Sequence, residues 1–559
     1  MKKIFLLIAM VGGLLALLPS CKKSVLDRPL EVEVKDSTIF SRINLVSEFV
    51  TDIYATLPNG YNDFAGTMSE TATDDARHAN PTNDSYRFTT NSWNRTINPD
   101  DRWTLFYAGI RKCNIFFSKI DQVKLLDHQY DIVLDGITAT LQKSRLIGEV
   151  YFLRAYFYFE LAKRYGGVPI INQVLTLNDD LKTPRNAFDE TIAQITKDCD
   201  SAYNRLVGTY LSATGGVNQP LYYGRTTKWA AQALKARVLL YAASPLHNPS
   251  GDLAKWTKAY EAAAPFFGGT TVPVFSLPNG ISAYETLFRG NTATNTEIIW
   301  SRVGANSNFL EFANYPIGFD GVTGGVNPSQ NLVDAYEMSN GLPISNPASG
   351  YKTDSPYVRR DPRFAVTINF NGATYKARAV ETFDGGLDGA QKNNGSLTGY
   401  YMKKHLDPSL NLTTGNSSQH NWIFFRLAEM LLNYAEARNE VDGAVSDVYA
   451  AVNRIRTRVG MPNLPTGLSK DQMRERIRNE RRIELAFEGH RFWDARRWDI
   501  AKTVFNGSLL GMRVIKNGTT FVYTPYTIEN RVFLPYMNLY PIQEATRLAN
   551  PNLEQNPGW

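Results

Sequence analysis

The sequence predicts a mostly α-helical protein in which paired helices form the scaffold, with long loop-rich insertions and a few short β-strands. Three observations support this fold class. Apolar residues recur at helical spacing, one alanine pattern occurs three times, and turn-forming residues cluster in the middle of the chain. Since 43% of the 559 residues are hydrophobic, the chain can bury a large core and is expected to be globular.

The repeated pattern consists of an alanine, a large apolar residue four positions later, and a second alanine three positions after that. It occurs at three places, namely Ala155, Phe159 and Ala162; Ala236, Leu240 and Ala243; and Ala428, Leu432 and Ala435. Small residues at this spacing let two helices approach closely, while the large residue fills the groove between them. The pattern resembles the second helix of tetratricopeptide-type repeats, so we expect helix pairs that bury their apolar faces by stacking.

The segment WTLFYAGIRKCNIFF gives the clearest helical stripe of the N-terminal half. It places five residues on one helical face, most of them expected in the core: Trp103, Tyr107, Ile110, Asn114 and Phe117. We predict an N-terminal helical region over residues 41–250 and a C-terminal helical region with a terminal tail over residues 416–559. Between them, residues 251–415 form a predicted loop-rich insertion in which Gly, Asn, Ser and Pro cluster around short strand-like pieces. All three are expected to form one continuous body.

The N-terminus has the layout of a secretory signal peptide. Two lysines precede an apolar run at residues 4–18, which is shorter than the roughly 20 residues needed to cross a bilayer. The tetrapeptide LPSC that ends in Cys21 resembles a bacterial lipobox. We therefore predict that residues 1–20 are removed, that Cys21 is acylated, and that residues 21–40 form a lipid-anchored tether. Ordinary secretion with an unmodified Cys21 is the alternative.

Composition excludes several functional classes. The formal net charge is +6 and no long basic run is present, which argues against nucleic acid as a partner. Apart from Cys21, only Cys113 and Cys199 occur, too few for a disulfide-rich scaffold, and the sequence leaves open whether they pair. The six histidines lack zinc-site spacings, and neither a Walker A loop nor a serine-hydrolase elbow is present. No cofactor is predicted, although a structural divalent ion stays open.

The densest charge lies in residues 471–499. There Glu480, Glu484 and Glu488 recur at helical spacing among several arginines, so they can form ion pairs. Glu480, Glu484 and His490 could also be an acid–base set, but carboxylates beside so many arginines are expected to stay ionised and paired. We therefore predict a structural role for this segment. The pairs are expected to be exposed, where each contributes only about 0 to 1 kcal/mol, so they would mainly fix geometry.

Six motifs, found in the same order along nearly the whole chain, carry a family resemblance. Two are N-terminal, WTLFYAGIRKCNIFF and GEVYFLRAYFYFELAKRYGGVPI. Four are C-terminal, RLAEMLLNYAEARNE, VNRIRTRVGMP, IRNERRIELAFEGHRFWDARRW and YPIQEATRLANPNLEQNPGW. Together with the lipobox at Cys21, these motifs resemble the SusD/RagB family of outer-membrane nutrient-uptake lipoproteins.

The resemblance implies a tetratricopeptide-like scaffold held in the outer membrane by the acylated Cys21 and facing the cell surface. It also implies a SusC-like TonB-dependent transporter as a partner, over which the lipoprotein acts as a hinged lid. The ligand would be an oligosaccharide, or in some members a peptide, and it would be delivered without any bond being broken. The protein is therefore expected not to be an enzyme.

Glycans bind to exposed aromatic faces, with planar polar side chains nearby to pair the hydroxyl groups. The polar loop at residues 71–101 combines both, and its predicted ligand-binding residues are Trp93, Tyr86, Asn94, Arg77 and Asp75. We expect truncation of Trp93 to weaken binding while the fold stays intact. Further candidates in the insertion are Tyr284, Tyr315 and Phe319, whereas Trp300 lies in the apolar run EIIW and is expected to be buried.

Two other functional classes remain as alternatives. A lipid-anchored glycoside hydrolase would use a pair of carboxylates, and Asp and Glu are plentiful, but no pair stands out. A helical-repeat adaptor would bind only protein, and the loop at residues 71–101 would then have no role with small ligands. Turnover of a glycan would distinguish the first class from a binding protein.

Overall fold

A computed structural model of the protein describes residues 36–62, 64–123, 139–210, 222–271, 274–290, 295–319 and 321–559. The predicted signal peptide, Cys21 and most of the predicted tether lie outside the described residues. Within them, helices predominate, and strands are short except in one hairpin. The predicted fold class is therefore confirmed.

Helices form most of the regular structure. In chain order the described helices are α1 (Asp36–Ile39), α2 (Ile43–Tyr54), α3 (Tyr86–Thr89), α4 (Trp103–Lys119), α5 (Ala139–Tyr165), α6 (Phe188–Tyr203), α7 (Lys228–Ala243), α8 (Leu253–Phe267), α9 (Ile281–Thr286), α10 (Phe309–Asn314), α11 (Gln330–Ala335), α12 (Pro362–Thr367), α13 (Leu427–Asp442), α14 (Ser446–Arg458), α15 (Lys470–Glu484), α16 (Arg491–Arg497), α17 (Ala501–Val504) and α18 (Glu544–Ala549).

The long helices pack in succession to form the scaffold. Each of α4 to α7 contacts the helix that follows it, and α13 then packs against α8, α7, α14 and α15. All nine residues of the repeated alanine pattern, on α5, α7 and α13, are buried. The close approach of helices that the pattern predicts is therefore confirmed, and the shared core runs from the N-terminal helices into the C-terminal ones.

Capping residues explain where several of these helices begin and end. The side chains of Thr227 and Asp252 accept hydrogen bonds from the first backbone N–H groups of α7 and α8. At α15, Ser469 and Gln472 form a reciprocal capping box. After α13, Gly443 takes a positive φ of 76°, which a residue with a side chain adopts only with strain.

Strands are paired in twos among the described residues, and each pair is antiparallel. The pairs are β1 (Ala76–His78) with β4 (Val326–Pro328), β2 (Ile298–Arg302) with β10 (Trp422–Arg426), β3 (Asn306–Ser307) with β9 (Ser418–Gln419), β5 (Ile368–Asn369) with β8 (Tyr401–Met402), β6 (Thr374–Tyr375) with β7 (Arg378–Ala379), and β11 (Gly507–Asn517) with β12 (Thr520–Arg531). The β1–β4 pair joins the loop at residues 71–101 to the insertion.

The charged segment predicted to carry exposed ion pairs is buried instead, so that prediction of exposure is wrong. Arg426 donates hydrogen bonds of 2.7 Å to Glu297, Glu484 and Glu488. Glu484 also pairs with Arg458 and, at 3.0 Å, with Arg363. All of these side chains are buried, because α15 packs between α13, α14 and the insertion rather than lying on the surface.

The predicted structural role of this segment agrees with its electrostatics. Burial alone raises the pKa of a carboxyl group, but three arginines around Glu484 outweigh it, so the pKa of Glu484 lies well below its usual range. His490 is buried beside Arg481, and burial lowers its pKa well below the usual value. The carboxylate of Glu484 therefore stays ionised and paired, while the imidazole of His490 stays neutral.

Glu70 is a buried acid whose pKa is raised, whereas that of Glu484 is lowered. It makes the free energy of unfolding depend on pH. It lies in the short 3₁₀ helix Ser69–Ala72, and its Oε1 accepts a hydrogen bond of 2.7 Å from the backbone N–H of Gly489. Burial raises its pKa from 4.5 to about 7. Because the folded state favours the neutral acid, this stabilisation is complete below pH 4.5 and is lost as the pH rises through 7.

The substitution Glu70→Gln should therefore stabilise the protein more at high pH than at low pH. Glutamine keeps the acceptor for Gly489 but cannot ionise, so we expect its advantage in free energy of unfolding to be about 2 to 3 kcal/mol larger at pH 8 than at pH 5. Urea denaturation at the two pH values measures this. Glu475→Gln, at an exposed carboxylate, should show no such difference. An equal effect of Glu70→Gln at both pH values would contradict the assignment.

Three further features bear on the sequence predictions. Cys113 and Cys199 are both buried free thiols, which answers the question of their pairing. Among the described histidine, cysteine, aspartate and glutamate side chains, no three gather in a way that could hold a metal ion. Among the residues that the structure describes, every helix is too short or too polar to cross a membrane.

Candidate ligand-binding surface

Trp93 was predicted to face solvent from the loop at residues 71–101, and this is wrong. Its side chain is 2% exposed. The ring packs at centroid distances of 4.7 Å from Phe88, 5.2 Å from Tyr540 and 4.5 Å from Trp559. The aromatic residues at the C-terminal end of the sequence cover the ring, so Trp93 belongs to the core and has no face to offer a ligand.

Asp75 is also buried, because it anchors the loop to the scaffold. Its Oδ1 accepts a hydrogen bond of 2.7 Å from Arg482 on α15, and the neighbouring Asp74 accepts one of 2.8 Å from Arg491. Burial raises the pKa of Asp75, whereas Arg482 lowers it. Asp75 is therefore not exposed as expected, and its Oδ1 is engaged within the fold.

Arg77 and Tyr86 are in contact, although Arg77 is buried. Arg77 donates to the Tyr86 hydroxyl at 2.7 Å, and that hydroxyl donates to the carbonyl of His78 at 2.6 Å. The ring of Tyr86 is half-buried, so one side remains open. Asn94 is exposed but lies elsewhere, where its Oδ1 caps a turn by accepting from Thr96 and Ile97.

The three candidates in the insertion are also buried, so the expectation that their rings are exposed is wrong. The hydroxyl of Tyr284 donates to the carbonyl of Glu484 at 3.0 Å, inside the buried ion network. Tyr315 packs against Tyr375 at 5.6 Å, and the ring of Phe319 lies under the guanidinium of Arg378 at 3.6 Å. All three side chains therefore belong to the buried core. Trp300 is buried, as expected from its apolar run.

The structure exposes two aromatic residues that the sequence reasoning missed. Phe309 and Phe312, on α10, are 51% and 47% exposed, and no other aromatic side chain among the described residues is exposed to this extent. They are three positions apart, so they share one face of the helix. Between them, Leu310 and Glu311 point inwards and are buried. The segment NFLEFAN therefore anchors itself through two residues and presents two rings to solvent.

Short polar loops frame these rings. On one side, Asn306 pairs with Gln419 between β3 and β9. On the other, the backbone N–H of Thr323 donates to the carbonyl of Phe312 at 3.1 Å. We call Phe309, Phe312, Asn306, Asn308 and Thr323 the α10 surface.

The loop at residues 71–101 reaches the α10 surface through backbone contacts. Gly325 donates to the carbonyl of Ala313 at 2.6 Å, and Ala79 donates to the carbonyl of Gly325 at 2.7 Å. The exposed Asn80 follows directly. The loop and the insertion thus lie side by side at this surface, but the exposed rings come from the insertion alone.

The α10 surface suits an uncharged ligand with an apolar face. Exposed phenyl rings can stack against C–H groups, while amide and hydroxyl side chains beside them can both donate and accept hydrogen bonds. Glu311, the acidic residue of α10, is withdrawn from the surface because it is buried and pairs with His420 at 3.1 Å. The arrangement is suited to binding and holds no exposed pair of carboxylates on α10.

Comparison with known proteins identifies the family. Residues 296–559 match a family model described as "SusD family", and residues 27–240 match one described as "Starch-binding associating with outer membrane". A crystal structure of a SusD-like protein from Bacteroides fragilis is 30% identical, with a TM-score of 0.79 over 95% of this chain and 100% of that one. The chain belongs to the SusD family.

Other SusD-like proteins are similar to this chain along most of their length. A SusD-like protein of Formosa agariphila is 26% identical over 81% of this chain and 79% of its own length. A SusD-like carbohydrate-binding protein from Bacteroides fragilis is 23% identical, with a TM-score of 0.73 over 92% of this chain and 100% of that one. The resemblance seen in the motifs is therefore confirmed, and it extends over both halves of the fold.

Proposed function

We propose that this SusD-family protein captures an oligosaccharide on the α10 surface without altering it and delivers it to a transporter. The observation that carries this proposal is the pair of half-exposed rings, Phe309 and Phe312, framed by amide and hydroxyl groups. Leaving such rings in water forgoes the roughly 25 cal/mol per Å² that their burial would contribute, so a fold that keeps both exposed points to a ligand that covers them.

The relatives support a carbohydrate as the ligand. One matching family model is described as starch-binding, one structural neighbour as carbohydrate-binding, and another as laminarin-binding. The structure adds that α10 presents neutral groups, which suits stacking and hydrogen bonding to sugar rings. A peptide ligand would be an outcome of the same binding assay.

The cellular setting is proposed from the family resemblance and the N-terminal sequence together. The protein would be held at the outer membrane by acyl chains on Cys21, would face the cell surface, and would act as a lid on a SusC-like TonB-dependent transporter. The description "associating with outer membrane" for the model that matches residues 27–240 supports this location.

Removal of the two rings tests the proposal. Each of Phe309→Ala and Phe312→Ala should weaken oligosaccharide binding by about 1 to 1.4 kcal/mol, or about five- to tenfold, because each ring has about half its surface left to bury. Titration calorimetry with starch, laminarin and other oligosaccharides, and with peptides, measures this. Chromatography of the recovered ligand should show it intact.

Leu253→Ala provides a matched control, since Leu253 is 51% exposed at the start of α8, far along the chain from α10. It should leave binding unchanged. Two results would contradict the proposal. One is oligosaccharide binding that neither phenylalanine variant affects, and the other is release of shortened sugars by the unmodified protein.

A further inference from the structure

A concave site lies along α4 and shares no residue with the α10 surface. It is a groove of about 430 Å³ between α4, the loop at residues 169–183 and the chain around α18. Apolar side chains form most of its lining, including Trp103, Tyr107, Ile110, Leu175, Leu181 and Leu553. Its size and its mixture of aromatic and aliphatic walls are typical of sites for small ligands.

Hydrogen bonds hold the walls of this groove in place. The hydroxyl of Tyr107 donates to the carbonyl of Pro169 at 2.8 Å, and the amide of Asn114 donates to the carbonyl of Ile171 at 2.8 Å. From the third wall, the amide of Asn550 donates to the carbonyl of Thr183 at 2.8 Å. The three walls are thus tied to one another, so the groove is formed before any ligand arrives.

Two unusually exposed leucines lie close in sequence to residues that line the groove. Leu177, in the loop at residues 169–183, is 94% exposed, and Leu548, on α18, is 75% exposed. These are the two highest values among the exposed large apolar side chains of the described residues. Leu177 is two positions from the lining residue Leu175, and Leu548 directly precedes the lining residue Ala549, so exposed apolar surface continues beyond the lining at both places. Exposed apolar surface of this kind is typical of interaction sites.

One end of the groove is polar and cationic. Arg111 lies on α4 beside Gln173, is exposed, and donates to the carbonyl of Leu175 at 2.9 Å. It forms no ion pair with any described carboxylate, so its charge is available to an anion. Trp103, at the other end, is eight residues away along α4, or about 12 Å at the rise of a helix. The groove thus combines a cationic end with an apolar body.

We infer that this groove binds a fatty acid of medium chain length, with its carboxylate at Arg111 and its acyl chain running towards Trp103. The charge of Arg111 is complementary to a carboxylate, and a guanidinium can donate two parallel hydrogen bonds to one. The apolar lining then covers the methylene groups, each of which contributes about 0.8 kcal/mol when buried. This inference does not depend on the proposed function, because the two sites share no residue.

Calorimetric titration with dodecanoate, below its micelle-forming concentration, tests the inference. The full chain should carry Cys21→Ala, so that no attached acyl chain competes. We expect saturable binding of one dodecanoate and at least tenfold weaker binding of dodecanol, which lacks the charge. Arg111→Ala should weaken dodecanoate binding at least fivefold, and Arg111→Lys should weaken it less.

A space-filling variant separates the groove from the rest of the surface. Ala549 is exposed and lines the groove, so Ala549→Phe should abolish dodecanoate binding. Ala254→Phe adds the same ring at an exposed position on α8 and should leave binding unchanged. Equal affinity of these two variants, or no saturable binding by the unmodified groove, would overturn the inference. So would flotation of the protein on phosphatidylethanolamine vesicles without dodecanoate binding, which would indicate a membrane-contact surface instead.

Discussion

Arg426→Met should destabilise the protein by about 3 to 5 kcal/mol, because it leaves buried carboxylates without their counter-charge. Arg426 is buried and makes five hydrogen bonds, two of them to Glu488 and two to the carboxylates of Glu297 and Glu484. Methionine matches its length but supplies no donor. The remaining Arg458 and Arg363 can neutralise Glu484 only in part, while Glu488 retains only Lys404.

Urea denaturation followed by circular dichroism measures this change, and an exposed pair supplies the matched control. Lys502 pairs with Asp499 at 2.6 Å, but both side chains are more than a third exposed. Lys502→Met should therefore change the free energy of unfolding by no more than about 1 kcal/mol. An equally small change in the free energy of unfolding for Arg426→Met and Lys502→Met would contradict this expectation. It would mean that charge pairing does not stabilise the buried network, and that water reaches the carboxylates once Arg426 is replaced.

The helical scaffold could be predicted from the sequence because its signals are local. The alanine pattern predicts both the helix and the face that packs, and all nine residues of the pattern are buried. The charged segment shows the limit of this reasoning. The spacing of Glu480, Glu484 and Glu488 predicts ion pairs correctly, but the burial of the pairs depends on Arg426 and Arg363, which lie 58 and 121 positions from Glu484.

The candidate site was harder to predict, since exposure of an aromatic ring is a tertiary property. In the loop at residues 71–101, polar neighbours suggested that Trp93 is exposed, yet Tyr540 and Trp559 from the far end of the chain cover it. Conversely, the segment that contains Phe309 and Phe312 is rich in apolar residues, which is typical of a buried segment. One local signal was available: in NFLEFAN, Leu310 and the two phenylalanines spread over about 160° of the helix surface, which is wider than an apolar stripe of about 100°. Such a spread favours exposure of some of these side chains.

Trp93→Ala is therefore expected to act on stability rather than on binding. Removing a buried tryptophan costs about 3 to 5 kcal/mol, because the loss of apolar contacts is followed by a cavity that the surrounding rings fill only in part. Trp93→Phe should be milder, since it keeps an aromatic ring among Phe88, Tyr540 and Trp559. Differential scanning calorimetry should show a lowered Tm for both, and a much larger shift for the alanine variant.

Phe309→Ala is expected to have the opposite effect, namely weaker ligand binding with almost unchanged stability. Phe309 is half-exposed, so its truncation should change the free energy of unfolding by about 0.5 kcal/mol or less while weakening the ligand. The two substitutions thus separate a ring that holds the fold together from a ring that faces the ligand. A stable Trp93→Ala protein that has lost its oligosaccharide affinity would reverse these roles. It would mean that the aromatic cluster around Tyr540 opens when the ligand binds, since a closed cluster leaves Trp93 no surface for contact.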